Sequence, residues 1–202
     1  MKRLFTLNQS TCPAKRGFTL VEMLVVVLIG GILAAVAAPS LVSVIESNRR
    51  TIISNQLMAD LAFARRQAIA LSTPVALCGS HATNPNVCIE KDGSAADWSK
   101  GWYTYIGSSN QLTPEGAAAG LVLRSPQAIP SGWKVYARLS DPGNFVYMGV
   151  RSTTNKFGNF TIYREGSTTA ACVVVSATGR ARAYTVTAAA GVVSIASNLC
   201  GS

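Results

Sequence analysis

The polar and apolar positions divide this chain into stretches of different period. Residues 1–17 are polar and basic, with Pro13 discouraging regular structure. Residues 23–45 then run for 23 positions without a charge. At about 1.5 Å per residue that is enough helix to cross a hydrocarbon layer of roughly 30 Å. Beyond this run the pattern turns amphipathic. Ile45, Ile53, Leu57, Leu61, Ala64, Ala68 and Leu71 recur at helical spacing, with Arg49, Arg50, Asp60, Arg65 and Arg66 between them. The spacing predicts one continuous helix, its first half apolar all round and its second half covering a sheet. Gly30-Gly31 and Pro39 are the places where it can loosen or bend, and Ser72-Thr73-Pro74 ends it.

After Pro74 the period shortens toward two. Strands are expected at 75–78, 98–106, 121–124, 133–139, 145–150 and 160–164, separated by Pro, Gly, Asn and Asp. The clearest hairpin joins 171–176 to 180–186 through Ala177-Thr178-Gly179, and 191–195 is a further strand candidate. One long N-terminal helix followed by many short strands predicts an α+β fold, the helix packed on an antiparallel sheet or sandwich. The implied division is a leader at 1–17, a membrane-spanning half helix at 18–45 and a globular head at 46–202, long enough for its own core.

Charge sharpens the picture. The formal net charge is +9 over 202 residues. Without the leader's four basic residues and Glu22, the head holds fourteen basic against eight acidic side chains. That excess favours anionic partners such as nucleic acid or acidic lipid. Lys2, Arg3, Lys15 and Arg16 place the leader in the cytoplasm and the head outside it. Of five cysteines, Cys12 lies in the leader, leaving Cys78, Cys88, Cys172 and Cys200 in a compartment that oxidises thiols. Four cysteines allow three pairings. Cys78–Cys88 and Cys172–Cys200 are favoured because each closes a local loop of turn residues. With no CxxC pair and one histidine, His81, neither a metal nor another cofactor is expected. No phosphate loop, dinucleotide fingerprint or paired carboxylates point to an enzyme.

Glu22 sits just inside the head of the apolar run, where a charge is costly and normally functional. Lys15-Arg16-Gly17-Phe18-Thr19-Leu20-Val21-Glu22, with the apolar run behind it, resembles the start of type IV pilins and pseudopilins, and Pro39 falls where their helix commonly bends. The resemblance implies cleavage between Gly17 and Phe18 by a prepilin peptidase and methylation of the new Phe18 amine. It further implies an inner-membrane anchor, and assembly with major and minor pilins in which Glu22 meets a neighbour's N-terminal amine. Phe63-Ala64-Arg65-Arg66-Gln67-Ala68-Ile69-Ala70, Pro74-Val75-Ala76-Leu77-Cys78, Trp98-Ser99-Lys100-Gly101-Trp102 and Ser176-Ala177-Thr178-Gly179-Arg180-Ala181-Arg182 narrow it to the GspH/FimT family of minor pilins and pseudopilins.

Within that family, Gly179-Arg180-Ala181-Arg182 is similar to the GRxR element with which FimT members bind double-stranded DNA in natural transformation. The residues suit the task. Gly179 supplies turn geometry, and two arginines two apart on a strand project from one face, about 6.6 Å apart. Their planar donor forks fit phosphate, and backbone contacts read no sequence. Tyr184 continues that face, either to stack on a base or to pack, while Lys156 and Arg164 are further candidates for the patch. The plain alternative is a charged face that protects an edge strand from aggregation. Arg49, Arg50, Arg65 and Arg66 read as the outward side of the helix, and Trp98 and Trp102 as packing. The rival function is a structural pseudopilin of a type II secretion system, without DNA binding.

Overall fold

The computed structural model describes residues 17–80, 88, 95–107, 122–125, 127–139, 144–147, 158–188, 191–193 and 199–200, without the side chains of 38–39 and 144–147. His81 and Lys156 lie outside the described residues. Helix α1 (Leu20–Leu71) takes up 52 residues. It begins at Thr19, whose hydroxyl accepts the Glu22 amide at 3.2 Å. A threonine cap with glutamate three residues on is the spacing of a capping box. The helix ends where Ser72 turns left-handed at φ 51°, ahead of Pro74.

The chain divides into two compact units, Met1–Val44 and Ile45–Ser202. The first carries the apolar half of α1, which by length and composition is sufficient to cross a membrane. Its large apolar side chains from Leu20 to Val44 are exposed.

Among the described residues the second unit holds the rest of α1 and nine strands: β1 (Val75–Gly79), β2 (Ala96–Asp97), β3 (Trp102–Ile106), β4 (Val122–Arg124), β5 (Trp133–Leu139), β6 (Asn144–Tyr147), β7 (Gly158–Arg164), β8 (Thr169–Val175) and β9 (Ala181–Thr187). They form two antiparallel sheets, in the orders β4-β3-β1-β6 and β2-β5-β7-β8-β9. Ile53, Leu57, Leu61, Ala64 and Ala68 of α1 are buried against residues of both sheets, among them Leu77, Trp102, Val135, Ile162 and Val173. Strand β5 shows the pleat plainly: Trp133, Val135, Ala137 and Leu139 are buried, while Lys134, Tyr136 and Arg138 are half-exposed. Disulfides join Cys78 to Cys88 and Cys172 to Cys200, with Cα separations of 5.5 and 5.4 Å. The first ties β1 to the isolated bridge between Ser80 and Cys88; the second ties β8 to the C-terminal tail.

Several expectations change. Ile45 and Leu71, at the ends of the amphipathic pattern, are 51% and 44% exposed, so the apolar part of the covered face runs only from Ile53 to Ala68. Arg50, read as outward, is buried at 8% exposure, and Asp60 is buried at 6%. Both lie on the buried arc by helical spacing, Arg50 three and seven residues before Ile53 and Leu57, and Asp60 seven after Ile53 and four before Ala64. Polar residues inside that arc need partners. Arg50 bonds Glu46 at 3.1 Å and Thr169 at 3.3 Å. The strand expected over 98–106 starts only at Trp102. Residues 98–101 form a turn, closed by the Gly101 amide on the Trp98 carbonyl, with Gly101 at φ 94°. Trp98 itself is fully buried against Phe160. Residues 191–193 are not a strand.

Candidate nucleic-acid interface

The β8–β9 hairpin is built around a short hydrogen-bonded turn. The Gly179 amide donates to the Ser176 carbonyl at 2.8 Å, and the Ser176 amide donates to the Arg180 carbonyl at 3.0 Å. The Ser176 hydroxyl accepts the Arg180 amide at 3.3 Å and lies 2.9 Å from the Thr178 hydroxyl. Gly179 stands at φ 76°, a left-handed conformation that favours glycine, so this is a turn with a bulge after it. Below the turn the strands are in register, with Val175 opposite Ala181, Val174 opposite Arg182 and Cys172 opposite Tyr184. Strand β9 ends the five-stranded order.

Arg180 therefore closes the turn, one residue before β9, and only Arg182 is on the strand. The regular two-residue strand spacing does not apply across the bulge. Both side chains are exposed, and both line one open cavity of about 630 Å³ together with Arg65, Val174, Ser176 and Thr178. A smaller neighbouring cavity, about 310 Å³, is lined by Arg65, Gly179, Arg180, Ala181 and Arg182 and by Met58, Leu61 and Ala62 of α1. None of the described lining residues is acidic. Described carboxylates are engaged elsewhere: Glu46 with Arg50 and Arg164, Asp60 with Arg124, and Glu165 with Lys134. Three arginines around one open space with no described acidic residue in its lining make an arrangement suited to an oxyanion.

Arg164 is not brought to this cleft. Its guanidinium lies 3.7 Å from Glu46 at the far end of β7. Asn159 pairs with Val174, which faces Arg182, and Arg164 is five residues further along, roughly 16 Å at 3.3 Å per residue. Tyr184 is tethered: its hydroxyl donates to the Cys200 carbonyl at 3.2 Å. The pKa shifts lie away from the cleft, where Tyr136 and Tyr163 stack at 6.1 Å and burial raises both hydroxyls above the ordinary tyrosine range.

Arg65, read from the sequence as the outward side of the helix, lines this cleft. Helical periodicity places it outward, and it is half-buried. Its one sequence signal is position: it directly follows Ala64, at the C-terminal end of the covered face, and so sits at the margin where side chains meet the sheet's end.

The model for the family "Type II transport protein GspH" matches residues 54–179, so Arg180 and Arg182 lie just past the matched span. The prokaryotic N-terminal methylation motif matches residues 12–38. None of the curated proteins is significantly similar in sequence. Two crystal structures of the type IV minor pilin FimU of Pseudomonas aeruginosa (strain PAO1) resemble the chain. One is 18% identical with a TM-score of 0.49, covering 68% of this chain and 89% of that one. The other, in a second crystal form, is 17% identical with a TM-score of 0.45, covering 65% and 89%. With the family model matching more than half of its length behind an N-terminal methylation motif, the chain belongs to the GspH/FimT family of minor pilins and pseudopilins.

Proposed function

We propose that this chain is a minor type IV pilin that binds double-stranded DNA without sequence preference and supports DNA uptake in natural transformation. On this reading a prepilin peptidase cuts after Gly17 and the Phe18 amine is methylated. Residues 18–45 anchor the protein in the inner membrane with residues 46–202 on the periplasmic side. The mature protein then enters a pilus alongside other major and minor pilins. The observation that carries the DNA reading is the cleft at the β8–β9 turn. Arg180 and Arg182 are exposed, they line one cavity with Ser176 and Thr178, and no described acidic residue lines it. Phosphate contacts of this kind supply affinity without sequence information.

The test is a mobility shift of the full chain in non-ionic detergent against a short mixed-sequence duplex. Wild type should bind with micromolar or weaker affinity, falling with salt at a log–log slope of about −2 to −4 for two to four contacts. Replacing Arg180 and Arg182 together by Gln should take about 1.8 off that slope, with little change in melting temperature because both side chains are exposed. The match to type II transport protein GspH favours a second reading, a structural pseudopilin of a type II secretion system. Absence of a shift at low salt, or a double variant that binds like wild type, would make that the better account.

A further inference from the structure

We propose that Arg65 of α1 is the third phosphate ligand of the same cleft. The DNA backbone then crosses between the helix and the β8–β9 turn, rather than running along the edge of β9. This rests on the DNA-binding reading above and adds to it the path of the strand.

Three observations carry it. Arg65 lines both adjoining cavities, and so do Arg180 and Arg182. The three guanidinium-bearing residues thus border a shared space from two elements, one face helical and one a hairpin. No described residue that lines either cavity carries a carboxylate. The two cavities also differ in kind. The larger adds Ser176 and Thr178, whose hydroxyls lie 2.9 Å apart, that of Ser176 bracing the backbone of Arg180. The smaller adds the accessible apolar side chains of Met58 and Ala62, a wall suited to the sugar beside a held phosphate. Arg66, next in sequence, is exposed and lines neither cavity.

Both elements are fixed in place. Leu61 and Ala64 before Arg65 and Ala68 after it are buried in the core, and the hairpin is held by the Ser176 and Gly179 bonds. A ligand that spans the two is met by a preformed gap, which lowers the ordering cost of binding.

The experiment compares salt-dependent DNA binding of full-length wild type, Arg65→Gln, Arg65→Lys and Arg66→Gln, with melting temperatures recorded alongside. Arg65→Gln should lose one contact, lowering the slope by about 0.9, equivalent to about 3.5-fold less salt sensitivity between 50 and 200 mM. Arg65→Lys should keep the wild-type slope, since an ammonium also displaces a counterion, while losing affinity because it has no planar fork. Arg66→Gln should bind like wild type. If Arg65→Gln keeps the full slope while the Arg180/Arg182 double variant loses it, Arg65 is no ligand, and the hairpin reading stands without it. If wild type does not bind DNA, both fall. Should Arg65→Gln lose binding to vesicles of anionic phospholipid and keep it to duplex, the proposal is overturned in favour of a membrane surface. Where Arg65→Gln melts early, Arg65→Lys decides: a slope reduced in a variant that keeps the charge marks a structural role and overturns the proposal.

Discussion

Asp60 joins α1 to the four-stranded sheet, and its removal gives a sharp test of how the head is held together. The residue is 6% exposed. Its carboxylate accepts the Trp102 indole N–H at 2.9 Å and the Gln56 amide at 3.1 Å, and it pairs with Arg124. Arg124 in turn lies 4.0 Å over the Phe63 ring. In Asp60→Ala the indole N–H of Trp102, itself buried, loses its acceptor, at a cost of about 1–3 kcal/mol. The lost ion pair counts for less than the 3–5 kcal/mol typical of a broken buried pair. Arg124's side chain is 45% exposed, so water can solvate it and the surface-pair figure of about 1 kcal/mol applies. The expected loss is about 2–3 kcal/mol, or about 5–10 °C in melting temperature for a domain of this size. Asp60→Asn keeps an acceptor for Trp102 and should lose less than half as much. Thermal unfolding followed by circular dichroism reads both. A cycle with Arg124→Met should show a coupling of about 1 kcal/mol or less. If Asp60→Ala melts within about 2 °C of wild type, the clamp is not a source of stability and the reasoning fails.

Two further outcomes are expected. Mass spectrometry of membrane-extracted protein should show a chain beginning at methylated Phe18, and Glu22→Ala should leave that cleavage intact while impairing entry into fibres. Because Thr19 and Glu22 also have capping-box spacing, Glu22→Gln separates the roles. Glutamine serves the box but carries no charge, so normal fibre entry by Glu22→Gln would refute a charge partner on a neighbour. Replacing Cys172 and Cys200 together by Ser opens a 28-residue span and should cost about 2–4 kcal/mol. Faster amide exchange in β9 should accompany it, since Tyr184 is tied to the Cys200 carbonyl; unchanged exchange would show that the hairpin stands without the tail.

The parts of the fold that follow from local pattern could be read in the sequence. Ile53, Leu57, Leu61, Ala64 and Ala68 form one helical face, and all five are buried. The strand expected at 133–139 is β5 residue for residue, because alternation, flanking turn residues and burial agree there. What failed depends on long-range packing. Arg50 and Asp60 share the helical stripe of Ile53, Leu57 and Ala64, but a charge there reads as buried only once its partners are known, Glu46 and Thr169 for Arg50 and Trp102 and Arg124 for Asp60. The Trp98-to-Trp102 segment carries aromatics that suit a strand. It turns instead at Gly101, and nothing in strand propensity registers that Trp98 is wanted in the core. In the candidate site, Gly179, Arg180 and Arg182 stood out because a turn glycine and paired cations are local signals. Arg164 was not excluded in advance because its distance from Arg182 depends on the pairing of β7 with β8.

The size of the cleft bears on how such a protein could serve as a receptor. Three phosphate contacts at a slope of about −2.7 lose roughly 40-fold in affinity between 50 and 200 mM salt, so one copy holds DNA weakly at physiological ionic strength. Weak binding through phosphate alone is also what lets a receptor accept any sequence and release it again. A firmer grip then has to come from several clefts on one duplex, where the linkage between copies raises the effective concentration without any new contact. On the proposed reading, assembly through the N-terminal half and DNA capture through the hairpin are coupled by number rather than by a conformational change. A chain that binds in isolation but cannot enter a fibre, as expected of Glu22→Ala, should keep its single-copy affinity and salt slope while cells carrying it lose uptake. If that variant instead loses single-copy affinity, the two halves are not independent and the argument from avidity is wrong.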